Sequence, residues 1–133
     1  MGLDNGILAR SATLIPALKP YYEHWKSWNK SSNEVVYELC YWRKCWNVRS
    51  LILKSIKSWS GDDEYEYPLT PEYIDNIIAA LSGLNKKNWN DDGGSIWEWS
   101  EMRGYIKYQI KALKKLRKAM KKHEIEVWFY DSY

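Results

Sequence analysis

A chain of 133 residues with 45% apolar and 28% charged side chains is long enough to bury one core and too hydrophobic for general disorder. Its net charge of +3 is too small to define a polyanion binder by itself. With no cleavable leader pattern and no apolar run of about 18 residues, one cytoplasmic domain over residues 1–133 is expected.

Residues 2–10 are too short and Gly-rich for a helix and are expected to form an N-terminal strand or extended segment. Pro20 then opens a short helix in which Tyr21, Trp25 and Trp28 recur at i, i+4, i+7, and Lys30-Ser31-Ser32-Asn33 ends it. Ser31 and Glu34 have capping-box spacing. Leu39, Trp42, Trp46, Leu53 and Ile56 continue at helical intervals, which predicts a long central helix to about residue 59. Residues 61–68 read as an acidic loop. Thr70-Pro71-Glu72 starts a helix with Ile74, Ile77, Ile78 and Leu81 as its buried stripe, and Gly83 closes it. Residues 85–95, carrying Asp91-Asp92-Gly93-Gly94, form a flexible loop, and Ile96-Trp97-Glu98-Trp99 alternates like a short strand. From Ser100 as N-cap a helix runs to about Lys122, with Ile106, Ile110, Leu113, Leu116 and Met120 inward. Residues 125–130 have strand composition. The expected fold class is α+β, mainly helical, with a small sheet joining the N- and C-terminal strands and packed against about four helices.

Catalytic patterns are missing. Cys40 and Cys45, five apart on the predicted helix, face different ways and read as reduced core thiols, while His24 and His123 are far apart; no metal or cofactor is expected. Asp62-Asp63 and Asp91-Asp92 read as solvated turn or capping carboxylates, and Ser11, Ser100 and Ser132 have no motif around them. Asp4 is expected to form a structural ion pair with Arg43. These observations favour a non-enzymatic protein.

Nine Trp and eleven Tyr stand against one Phe, a bias toward half-buried surfaces and stacking sites. The densest mixture of rings and cations is Tyr41-Trp42-Arg43-Lys44-Cys45-Trp46-Asn47-Val48-Arg49. On the predicted helix Trp42, Trp46 and Arg49 share one side, with Arg43 and Asn47 on the adjoining edge. One reading makes the Trp residues core and the Arg residues partners of nearby carboxylates. The other makes Trp42, Arg43, Lys44, Trp46, Asn47 and Arg49 a ligand-binding site, where Arg forks onto phosphate and Trp offers a stacking wall. Residues 103–122 hold nine cations and no acid, leaving 11 cations against 17 acids elsewhere. Within that stripe Lys107, Lys111, Lys114, Lys115, Lys118 and Lys122 form a basic face whose i, i+4 repulsions, a few tenths of a kcal/mol per pair, no acid in the helix relieves. An anionic neighbour is expected: the chain's own acidic loop, another subunit, nucleic acid or a phosphorylated small molecule.

Met1-Gly2-Leu3-Asp4, Glu38-Leu39-Cys40-Tyr41-Trp42-Arg43-Lys44, Ile96-Trp97-Glu98-Trp99 and Tyr130-Asp131-Ser132-Tyr133 together span nearly the whole chain. In these motifs and their order the chain resembles an uncharacterised family of small bacteriophage and prophage proteins. Where that family continues its helix with an Asn and an Ile-His pair, this chain has Trp46, Val48 and Arg49, with Asn47 displaced by one place. A His general base therefore does not carry over, because Arg stays protonated and accepts no proton. The resemblance implies a phage origin and no particular chemistry. The resulting expectation is a homo-oligomeric, phage-encoded binding protein that sequesters a phosphate-bearing nucleotide signal as a counter-defence factor. The alternatives are a nucleic-acid binder using the 107–122 face and an inhibitor that docks on a host defence protein.

Overall fold

The computed structural model describes residues 3–22, 34–56, 66–91 and 93–132. In chain order these form β1 (Asp4–Ser11), a 3-10 helix (Pro16–Tyr21), β2 (Val35–Arg43), α1 (Trp46–Ser55), β3 (Glu66–Pro68), α2 (Pro71–Ser82), α3 (Trp99–Ala119) and β4 (Glu126–Ser132). The strands make one antiparallel sheet in the order β2-β1-β4-β3. The class is α+β, and the expected pairing of the N- and C-terminal strands forms the centre of the sheet. Among the described residues no helix is long and apolar enough to cross a membrane.

Strand alternation divides the sheet into two faces. Ile7, Ala9, Tyr37, Cys40, Trp42, Val127, Phe129 and Tyr67 point inward and join Ile74, Ile77, Leu81, Ile106, Leu113 and Leu116 of the helices in one core. On the other face Arg10 pairs bidentately with Glu126 at 2.7 and 2.8 Å and lies 5.2 Å from the Trp128 ring. Tyr41 Oη donates to Asp4 at 2.7 Å there, so Tyr41 holds the carboxylate expected to pair with Arg43. Gly6 sits between Tyr41 and Tyr130. A Cβ on Gly6 would collide with the Cys40 carbonyl of β2 and lie 2.9 Å from a Tyr130 ring carbon, so β1 fits against β2 and under Tyr130 because this position has no side chain.

Several expectations need correction. Residues 35–43 are a strand, and the central helix begins only at Trp46. Val35, Val36, Tyr37, Tyr41 and Trp42 are β-branched or aromatic and fit a pleated surface. A bulge between the Ile7–Cys40 and Leu8–Glu38 pairs makes Leu39 the extra residue and lets the apolar positions imitate helical spacing. Lys44, at φ +55°, ends the strand in the left-handed region, where its N–H donates to the Leu3 carbonyl at 2.7 Å. Residues 66–68, expected in a loop, form edge strand β3, and Pro68 is tolerated because an edge needs no donor there. The Ile96 to Trp99 stretch bends instead of pairing as a strand, and α3 starts at Trp99 with Glu98, not Ser100, as N-cap. Pro20 lies inside the 3-10 helix that begins at Pro16, whereas Trp25, Trp28, Ser31 and the acids at 62–64 lie outside the described residues.

Other readings hold. Thr70 Oγ1 accepts the Tyr73 N–H at 3.2 Å, Pro71 occupies the first turn of α2, and Ile74, Ile77 and Leu81 are buried with Ile78 partly so. Cys40 and Cys45 are free and buried.

Gly6→Ala is expected to cost about 1–3 kcal/mol through overpacking, read as a lowered urea midpoint. Alkali gives a second test. Burial raises the phenol pKa of Tyr21, Tyr41, Tyr105 and, most strongly, Tyr130 above the ordinary value of 10.0. Unfolded phenols lose protons that folded ones retain, so this stabilisation is complete below pH 10 and disappears as pH rises toward the folded values. Stability should fall above pH 10, and Tyr130→Phe should flatten the decline.

Candidate ligand-binding cleft

The turn after α2 is built from its own side chains. Asn85 Oδ1 accepts the Lys87 and Asn88 N–H groups at 2.9 and 3.1 Å, Asn88 Oδ1 accepts the Asn85 N–H at 2.8 Å, and Asn88 Nδ2 donates back to the Gly83 carbonyl at 2.9 Å. Asn suits this role because its short amide mimics a backbone turn. Gly93 and Gly94, at φ +100° and +66°, then reverse the chain through a region that side chains disfavour. The Gly94 carbonyl accepts the Asn47 N–H at 3.0 Å, and the buried Asn47 Nδ2 donates to the Trp89 carbonyl at 2.6 Å. One residue in the first turn of α1 thus clamps both limbs of the 85–95 segment.

Trp89, 1% exposed, passes this order onward. Its indole N–H donates to the Trp97 carbonyl at 2.7 Å, and its ring centroid lies 5.5 Å from that of Trp99. The Trp97 N–H donates to Ser95 Oγ at 3.0 Å, and its indole N–H donates to the Arg43 carbonyl at 2.9 Å. Trp97 is therefore held at its amide, carbonyl and indole nitrogen while the residue stays 37% exposed. A fixed, open ring loses little entropy on stacking.

This ring lies in a cleft of about 770 Å³. Ile96, Trp97 and Trp99 supply apolar surface, Lys86 and Arg103 supply cations, and Asn90, Ser95 and Ser100 supply polar groups. Glu98, the one acid of the lining, is the N-cap of the 21-residue α3, but its side chain makes no capping hydrogen bond. The start of α3 thus lies at the cleft without a side-chain cap, with the Glu101 and Met102 N–H groups donating to the Glu98 carbonyl and Glu101 as a second carboxylate in the first turn. Together the rings and cations suit a flat ligand carrying a negative charge. Cys45, whose Sγ lies 3.4 Å from Ser95 Oγ, is a poor nucleophile because burial raises its thiol pKa. Among the described residues no three His, Cys, Asp or Glu side chains converge as metal ligands.

The residues singled out in the sequence do not share one pocket. Trp42 is buried under the sheet and donates its indole N–H to Gln109 Oε1 at 2.7 Å, and Gln109 Nε2 donates to the Tyr41 carbonyl at 3.2 Å. Asn47 is the internal clamp. Arg49 Nε lies 2.9 Å from both oxygens of Asp131, whose side chain is wholly buried. Arg43 is exposed at the end of β2 and Lys44 half-buried after it, while Trp46 is exposed at the start of α1. Their backbone still borders the cleft, through the Arg43 carbonyl under Trp97 and the Cys45–Ser95 bridge. Sequence reasoning missed Trp97, Trp99, Lys86 and Arg103 as a group. The usable signal was a Trp-Glu-Trp run between a Gly-Gly turn and a helix start. The basic-face lysines Lys107, Lys111, Lys114, Lys115, Lys118 and Lys122 are all exposed along α3 and beyond its end.

Comparison of the chain with protein-family models, curated proteins and solved structures finds no match.

Arg49→Ala removes the guanidinium that contacts both oxygens of the buried Asp131 carboxylate and is expected to cost about 3–5 kcal/mol. Denaturant unfolding measures this, and Arg49→Lys, which keeps the charge, should recover part of the loss.

Proposed function

We propose that the protein is a non-catalytic binder of a phosphate-bearing, nucleotide-like ligand, and that the cleft at the start of α3 receives it. The observation that carries this reading is the immobilised Trp97 in a cleft that Lys86 and Arg103 also line. The base stacks on Trp97, and the phosphate is met by Arg103 or Lys86. Arg43 and Trp46, exposed on the adjoining turn, extend the contact for a larger ligand. The resemblance to small phage proteins supports a biological setting in which tight retention of a host signal blunts defence; retention needs slow release, not turnover. A homo-oligomer accords with the exposed Trp46, Ile96, Trp97, Tyr105 and Tyr108.

A second reading, nucleic-acid binding along α3, is favoured by the exposure of all six basic-face lysines. It requires affinity to fall steeply with salt.

Native mass spectrometry of the protein with a panel of linear and cyclic nucleotides tests the first reading, with retention at fixed stoichiometry as the expected result. Stacking and charge-assisted hydrogen bonds are each worth about 1–3 kcal/mol, so Trp97→Ala and Arg103→Ala should each weaken binding about tenfold or more. A protein that stays empty across the panel, or variants within twofold of the parent, would reject the cleft. Duplex DNA retarded in a gel at low salt and released at high salt would support the second reading.

A further inference from the structure

A second pocket, of about 590 Å³, lies between the 3-10 helix and the C-terminal half of α3, far along the helix from Trp99 and Arg103. Its size falls within the range of about 300–1,000 Å³ typical of small-molecule sites. Ile15, Pro16, Pro20 and Ala119 give it apolar surface, and Lys115 and Lys118 of α3, with Lys122 in the turn just after it, supply cations. The opposing wall is stiff. Pro16 and Pro20 fix their own φ angles, the Ile15 N–H donates to Tyr37 Oη at 2.9 Å, Leu18 is fully buried, and Tyr21 meets the Tyr108 ring edge-on at 6.1 Å.

The cations of this pocket are unbalanced. Arg117 between them is engaged by Asp75 at 3.0 Å, but among the described residues no acid lies in ion-pair range of Lys115, Lys118 or Lys122. A solvated lysine face needs no apolar hollow beneath it, and a phosphate backbone makes no use of one. The combination fits a ligand whose anionic end meets the lysines while its body displaces water from the hollow.

We propose that this pocket binds a monomeric, single-chain anionic amphiphile, an apolar body ending in a carboxylate or phosphate. Isothermal titration of the intact protein below the critical micelle concentration tests it, using decanoate, the uncharged octyl glucoside and inorganic phosphate as probes. Decanoate should bind saturably at one site per chain and at least tenfold tighter than either other probe. Lys115→Glu with Lys118→Glu should weaken decanoate at least tenfold. Ala17→Trp, at an exposed position on the pocket wall, should do the same by filling the hollow without touching the charges. Circular dichroism of each variant would confirm that the fold is kept. Equal affinity for phosphate and decanoate, absence of saturation, or affinities within twofold in both folded variants would overturn the proposal.

Discussion

The carboxylate of Asp131 is buried near the end of β4 and survives there because Arg49 approaches both of its oxygens at 2.9 Å. A charge in that position is tolerable only with such a partner, so the sheet dictates where α1 can stand. From α1 the constraint travels outward: Asn47, two residues before Arg49, clamps the 85–95 turn, Trp89 carries the clamp to Trp97, and Trp97 returns to the sheet through the Arg43 carbonyl. The closed circuit of polar contacts leaves the Trp97 ring no freedom to fold into the core. The fully buried Asn5, paired in register with both Asp131 and Trp42, belongs to the same end of the sheet.

The aromatic bias of the chain has its explanation in these contacts. A Phe in place of Trp42, Trp89 or Trp97 would fill space but remove the indole donor to Gln109, the Trp97 carbonyl or the Arg43 carbonyl. Tyr37 does similar service, accepting the Ile15 N–H and sharing a hydrogen bond with Ser11 Oγ at 2.9 Å, and Tyr105 donates to the Tyr41 carbonyl at 3.1 Å. Phe129, the one Phe, lies in the dry centre of the sheet against Tyr67. Rings with polar handles let a small domain join elements distant in sequence and satisfy buried carbonyls at the same time.

What could be read from the sequence follows from the range of the forces involved. α2 and the body of α3 were legible because their apolar stripes are local, although the α3 cap was not, and the N- and C-terminal strands because the Gly-rich start and the 126–130 composition disfavour a helix. β2 was not, since a single bulged residue, Leu39, shifts a period of two toward helical spacing. The candidate cleft was hidden for a different reason. Trp97 is defined by an oxygen 54 positions away, and no window of sequence contains both. Arg49 and Asn47 were marked by unusual chemistry, but Arg49 pairs with Asp131 and the Asn47 amide nitrogen donates to Trp89 instead of facing a ligand.

β1 lies between its two sequence-distant neighbours, and this has a consequence for how the chain is made. The Arg10–Glu126 pair that seals the β1–β4 edge spans 116 positions. On the ribosome β1 meets β2 early, yet its other edge stays bare until residues 126–132 have been synthesised. A bare edge recruits strands from other nascent chains. Asp4 and Arg10, near the two ends of that edge, carry charges that discourage such additions, so the groups that later tie the finished sheet first guard it during translation.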